Sequence, residues 1–167
     1  METFEKFLDL ISDAIKWIVT LILLFMVTIT FIEVIRRYCF GKSFQWADEC
    51  VRFLIMWVTF LGGATAFRKN KLVNFDLVTS NVSERTQDIF RVITYIIVLI
   101  MLIGLVFYTT KTCMSPSVTR AKGTGFKVPM LFAYLPMPVG FSIMSVFCLD
   151  TLIRAVRKLQ GKGEVTV

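Results

Sequence analysis

Four stretches of this chain, residues 17–35, 50–67, 92–110 and 128–149, are apolar and almost free of charge. A helix needs about 20 such residues to cross a hydrocarbon core about 30 Å thick. Only short, mostly basic connections separate them. The 167 residues are thus read as one membrane domain, an all-α integral membrane protein with four transmembrane helices. With so little chain outside the spans, function must reside in helix faces, helix ends and three connections.

The composition agrees: 56% of residues are hydrophobic and 19% charged, below the roughly one quarter usual in soluble domains. The first apolar run follows sixteen residues that include Glu2, Glu5, Asp9 and Asp13, and no small-residue cleavage pattern stands behind it. It is too long for a signal-peptide core and reads as a retained anchor. Ahead of it, Phe4, Phe7, Leu8, Ile11, Ala14 and Ile15 recur at helical spacing, with Glu5, Asp9 and Asp13 largely on another face. This is an amphipathic helical segment. Its acidic face does not suit an anionic leaflet, so it is expected to extend the first span or to lie as a plain surface helix.

Lysines and arginines near the spans set orientation. Eleven fall on the side of the two termini and the second connection, and eight on the other side. Both termini are therefore expected in the cytoplasm. The small bias is informative, because translocated loops are normally poor in Lys and Arg. The third connection carries Lys111, Arg120, Lys122 and Lys127 and no acid. A basic external surface attracts acidic partners or anionic headgroups.

The chain has no histidine, which excludes His-ligated haem and quinone-linked cytochrome subunits. Cys39, Cys50, Cys113 and Cys148 form no C-x-x-C pair, so no zinc site is indicated and no cofactor is expected. Cys39, Cys50 and Cys113 fall on the non-cytoplasmic side, where a bridge is chemically permitted. No spacing argues for pairing, and isolated buried thiols are the expectation.

The richest chemistry lies between Glu33 and Arg52. Glu33 stands three and four residues before Arg36 and Arg37, within helical pairing reach of both. At the end of a span, such a carboxylate is read as a structural ion-pair partner rather than a coupling group, which would sit at mid-span. Trp46 is an interface anchor, and Glu49 and Arg52, one turn apart, are positioned to clamp helices, a phospholipid headgroup or a partner. In the second span Gly62 and Ala66, with Gly63 and Ala64 beside them, form a small-residue face of the kind that lets helix backbones approach in lipid. Asn81 with Glu84 three residues on suits the start of the third helix. Pro136 and Pro138 are expected to kink the fourth span.

The runs FQWADECVRF (44–53) and FLGGATAFRKNK (60–71), with Asp76 behind them, resemble the small membrane subunit (Q, or DctQ-type) of tripartite ATP-independent periplasmic (TRAP) transporters. Val128, Pro129, Tyr134 and LPMPVGFSIM resemble that family's last span. Many members carry a His shortly before the Asp of the second connection, where this chain has Leu72 and Val73. The resemblance implies a three-part secondary transporter in a bacterial inner membrane. A periplasmic binding protein captures an organic anion of the sialic acid or C4-dicarboxylate class, and a large membrane (M) subunit moves it with sodium. The small subunit is then a static scaffold, not an enzyme. Trp46, Glu49 and Arg52 would fix the second helix at the outer interface with phospholipid or the large subunit, and Gly62, Gly63 and Ala66 would set close packing. Arg36, Arg37, Lys42, Arg120, Lys122 and Lys127 would meet an acidic patch on the binding protein.

Two other classes fit less well. A self-contained four-helix exporter using Glu33 would be shorter with a deeper Glu, and a redox-enzyme anchor would need haem-ligating histidines. No nucleophile with its base, metal cluster or phosphate loop points to an enzyme. The net charge of +7 is spread over both membrane sides rather than gathered in a nucleic-acid-binding stripe.

Overall fold

A computed structural model of the protein describes residues 2–41, 44–69, 84–121 and 128–159. Its elements are α1 (Glu2–Phe40), α2 (Gln45–Arg68), α3 (Glu84–Cys113), the single turns α4 (Pro116–Thr119) and α5 (Leu131–Tyr134), and α6 (Pro136–Leu159). Four helical stretches, Glu5–Phe40, Trp46–Arg68, Thr86–Cys113 and Leu131–Leu159, are long and apolar enough to cross a membrane. Lys42, Leu72, Val73, Asp76, Asn81, Lys122 and Lys127 lie outside the described residues.

The amphipathic segment and the first span are one helix. No Gly or Pro interrupts the 39 residues of α1, which at 1.5 Å per residue reach about 58 Å, well beyond an apolar core of about 30 Å. The helix stops before Gly41, whose φ of 63° is the left-handed conformation that glycine adopts without strain. Threonine hydroxyls along α1 bond locally: Thr20, Thr28 and Thr30 each donate to the carbonyl four residues earlier, which suits a lipid surround.

The prolines act differently from the sequence expectation. Instead of kinking a span that begins at residue 128, Pro136 and Pro138 open α6, with the separate turn α5 before it. In a first turn the missing N–H has no intrahelical partner to lose, and the fixed φ already suits a helix. The Leu135 N–H bonds to Leu131 O at 2.9 Å and the Val139 N–H to Leu135 O at 3.3 Å, so helical bonds bracket the positions where the prolines have no N–H to donate.

The main contacts run from α1 to α2, from α2 to α6 and from α6 to α3, leaving α2 and α6 as the central pair. A core of Leu8, Ala64, Phe67, Tyr95, Leu102, Phe147 and Cys148 draws on all four long helices. The tightest approach is at Gly140. A Cβ there would lie 2.7 Å from Phe60 Cβ and 3.1 Å from the Phe60 carbonyl oxygen, so only glycine lets α6 rest on the α2 backbone. At most 22% of any spanning window is buried within the chain. Most of its apolar surface therefore requires lipid or another protein.

Gly140→Ala is expected to push α2 and α6 apart and cost about 1–3 kcal/mol. Gly104, where an added Cβ meets nothing within 4 Å, should accept alanine without loss. Thermal unfolding midpoints in detergent compare the two, and equal midpoints would refute the close-packing assignment.

Candidate functional site

Charged groups gather at the two ends of the bundle, and the ends are built in opposite ways. At the end that carries the chain termini, Glu5, Asp9 and Asp13 recur every four residues and form one stripe on α1. Each acid of the stripe meets a cation from another segment. Glu5 Oε1 lies 3.4 Å from Arg154 Nε, Asp9 Oδ1 accepts from Arg68 Nε at 3.0 Å, and Asp13 Oδ1 lies 3.7 Å from Lys69 Nζ.

Arg68 is the centre of this cluster. Its side chain is only 6% exposed and also binds Asp150, itself 8% exposed, which binds Arg154 one turn along α6. The Phe147 ring stands 5.7 Å from the guanidinium carbon, adding cation–π support. Beside the cluster, Lys158 Nζ meets Asp88 Oδ1 at 3.1 Å and joins α6 to α3. Two charges withdrawn from water are tolerated only when each is compensated, and here Asp150 is compensated twice. The exposed outer acids, Asp9 and Asp13, add little by themselves because water screens them. The acidic stripe is legible in the sequence; Asp150 was missed, although a lone acid within an apolar run, four residues before Arg154, is a usable signal.

At the opposite end the α1–α2 hairpin is closed by Glu33. Phe44 is the N-cap residue of α2 and has no side chain able to cap. The Glu33 carboxylate from α1 does so in its place, accepting the Phe44 N–H at 3.0 Å on Oε1 and 3.1 Å on Oε2. A carboxylate there also suits the positive end of the helix dipole. Glu33 is 8% exposed and has this backbone donor among its partners, whereas sequence spacing pointed to Arg36 and Arg37. Arg36 instead lays its guanidinium over the Phe44 ring, 3.4 Å from carbon to centroid. The Trp46 ring is tilted against Phe44 at 5.3 Å, and Trp46 is partly exposed at the start of α2.

Glu49 is half-buried, and Arg37 and Arg52 are exposed. Among the described residues, Arg36, Arg37, Arg52, Lys111 and Arg120 have no carboxylate partner. At the terminal end four cations, Arg68, Lys69, Arg154 and Lys158, are paired within the chain, while Lys6, Lys16 and Arg91 there have no carboxylate partner among the described residues; at the hairpin end no described cation has one.

The small residues of α2 are divided between two neighbours. A Cβ on Gly62 would meet Val19 of α1 at 3.9 Å, and one on Gly63 would meet Met144 Cε of α6 at 2.8 Å. Ala64 is fully buried and Ala66 half-buried. All four cysteines are free, Cys39 exposed and Cys113 and Cys148 buried. No group of three or more Cys, Asp or Glu among the described residues is placed to hold a metal ion.

Residues 26–158 match the family described as tripartite ATP-independent periplasmic transporters, DctQ component. A protein of Haemophilus influenzae assigned as a TRAP transporter small permease is 30% identical over 90 residues. That alignment covers 54% of this chain and 56% of the relative's own length.

Arg68→Ala is expected to cost about 3–5 kcal/mol by leaving a buried carboxylate short of a partner. Adding Asp150→Ala should recover part of this, a coupling of about 1–3 kcal/mol in a double-mutant cycle; strictly additive losses would refute the shared cluster. Glu33→Ala should remove the α2 cap at about 0.5–2 kcal/mol, read as earlier hydrogen exchange of the first-turn amides of α2.

Proposed function

The chain belongs to the DctQ family of TRAP transporters, and from that premise we propose that it is the static scaffold subunit of a sodium-driven importer of organic acids. In this reading it lies in a bacterial inner membrane with both termini in the cytoplasm. It pairs with a large membrane subunit that carries substrate and sodium, and its hairpin end faces the periplasm, where a soluble binding protein delivers the acid.

The observation that carries the reading is the asymmetry of charge. At the terminal end Arg68, Lys69, Arg154 and Lys158 each meet an Asp or Glu of the same chain, and Lys6, Lys16 and Arg91 meet none among the described residues. Opposite them, Arg37, Arg52, Lys111 and Arg120 have none among the described residues. Cations left unpaired on a face that meets water are suited to steering an acidic protein to the membrane complex. Lys42, Lys122 and Lys127 belong to the same connections by sequence and are assigned to the same surface. Trp46, Glu49 and Arg52 hold the outer end of α2 against lipid or the large subunit. The broad apolar surface of α1 and α3, including Phe25, Phe31, Ile100 and Phe107, provides the area a membrane partner needs. A scaffold role suits the position of Glu33 as well, since a carboxylate committed to a helix cap is a poor carrier of protons.

Uptake of a labelled organic acid into proteoliposomes under an inward sodium gradient tests the reading. Activity is expected only when this chain, the large subunit and the binding protein are all present. Arg37→Glu with Arg120→Glu should reduce uptake at least tenfold, about 1.4 kcal/mol or more in docking, while the two membrane subunits still co-purify. Transport by this chain alone, or undiminished uptake by the reversed variant, would overturn it.

A further inference from the structure

We propose that Arg36 is a receptor for a phosphate group, and that the group it takes is the phosphodiester of a phospholipid in the leaflet at the hairpin end. The inference does not depend on the docking reading, because it concerns this chain and lipid only. Three observations support it.

The first is that Arg36 is held in place. Glu33 fixes the Phe44 backbone by two hydrogen bonds, and the Phe44 ring carries the guanidinium at 3.4 Å. Stacking occupies one face of the planar group and leaves the N–H donors around its edge free to form the paired bonds that phosphate accepts. A side chain already ordered loses less entropy when it binds.

The second is that this cation makes no ion pair with an acid among the described residues. The nearest carboxylate in sequence, Glu33, is turned onto the Phe44 N–H. Arg36 and Arg37 together exceed it by one positive charge.

The third is depth. Arg36 lies four residues inside the end of α1, about 6 Å along the axis. Tyr38, Phe40 and Trp46 around it are 84%, 72% and 36% exposed. Exposed aromatics at both flanks of a helix end mark the headgroup level, and there the anion in supply is a lipid phosphate rather than the carboxylate of a soluble protein.

The test uses the full chain purified in detergent and titrated with phosphatidylglycerol, bound lipid being counted by native mass spectrometry. The wild type is expected to retain one tightly held lipid. Arg36→Lys keeps the charge but loses the planar fork, and Phe44→Leu keeps the backbone N–H for Glu33 but loses the stack; each should weaken retention about tenfold. Arg37→Lys should not. Unfolding midpoints measured alongside should stay near wild type for both variants, separating a lost site from a lost fold. Displacement of the lipid by millimolar inorganic phosphate would keep the receptor and assign free phosphate as its ligand, and resistance to it is the expected result. Retention unchanged in Arg36→Lys and Phe44→Leu would overturn the proposal. So would the absence of any retained lipid in the wild type.

Discussion

The pairing of Arg68 with Asp150 is the contact on which the rest of the bundle depends. It joins the two central helices at a depth where neither charge could remain alone, and it fixes where the other charged groups must go. Asp9 completes the coordination of Arg68, and Arg154 that of Asp150. Through these two the start of α1 is tied to α2 and α6. Apolar contact could not achieve this alignment in lipid, where side chains gain little by leaving one apolar medium for another. Glycine provides the fit that the ions then hold: Gly140 lets α6 rest on Phe60, and the core of Phe147, Ala64 and Phe67 fills the space between.

The two ends of the molecule answer different demands. One pairs most of its acids with bases across the four long helices. The other keeps a surplus of positive charge, since Glu33, bonded to the Phe44 N–H, offsets at most one of Arg36 and Arg37. The scaffold role proposed above draws on both properties. The matched end maintains the geometry of the chain, and the unmatched end offers charge to whatever approaches it.

Much of this was legible in the sequence. The four spans follow from length and hydropathy, because the lipid core sets a fixed thickness, and the FQWADEC and FLGGATAF runs carried the family. What sequence spacing could not supply was which of several possible partners a charged group would take. Glu33 is equally well spaced for Arg36 and Arg37, yet its carboxylate lies on the Phe44 N–H, a contact created by the turn of the hairpin rather than by helical periodicity. Asp150 escaped for the same reason, since its partner Arg68 is 82 positions away. The prolines of α6 were recognised as breakers, but whether a breaker kinks a helix or begins one depends on where the helix starts, and the sequence left that open. The small residues of α2 were read as one packing face; in the folded chain they serve two neighbours, α1 through Gly62 and α6 through Gly63.

The double coordination of Arg68 also bears on how the chain is made. Asp9 precedes it by 59 positions and Asp150 follows it by 82. At a synthesis rate of about 5–20 residues per second, the second helix reaches the membrane several seconds before the last one exists. During that interval Asp9 is available to the arginine and Asp150 is not. Asp9 is thus the first counterion within reach of the guanidinium, and in the finished chain it shares Arg68 with Asp150.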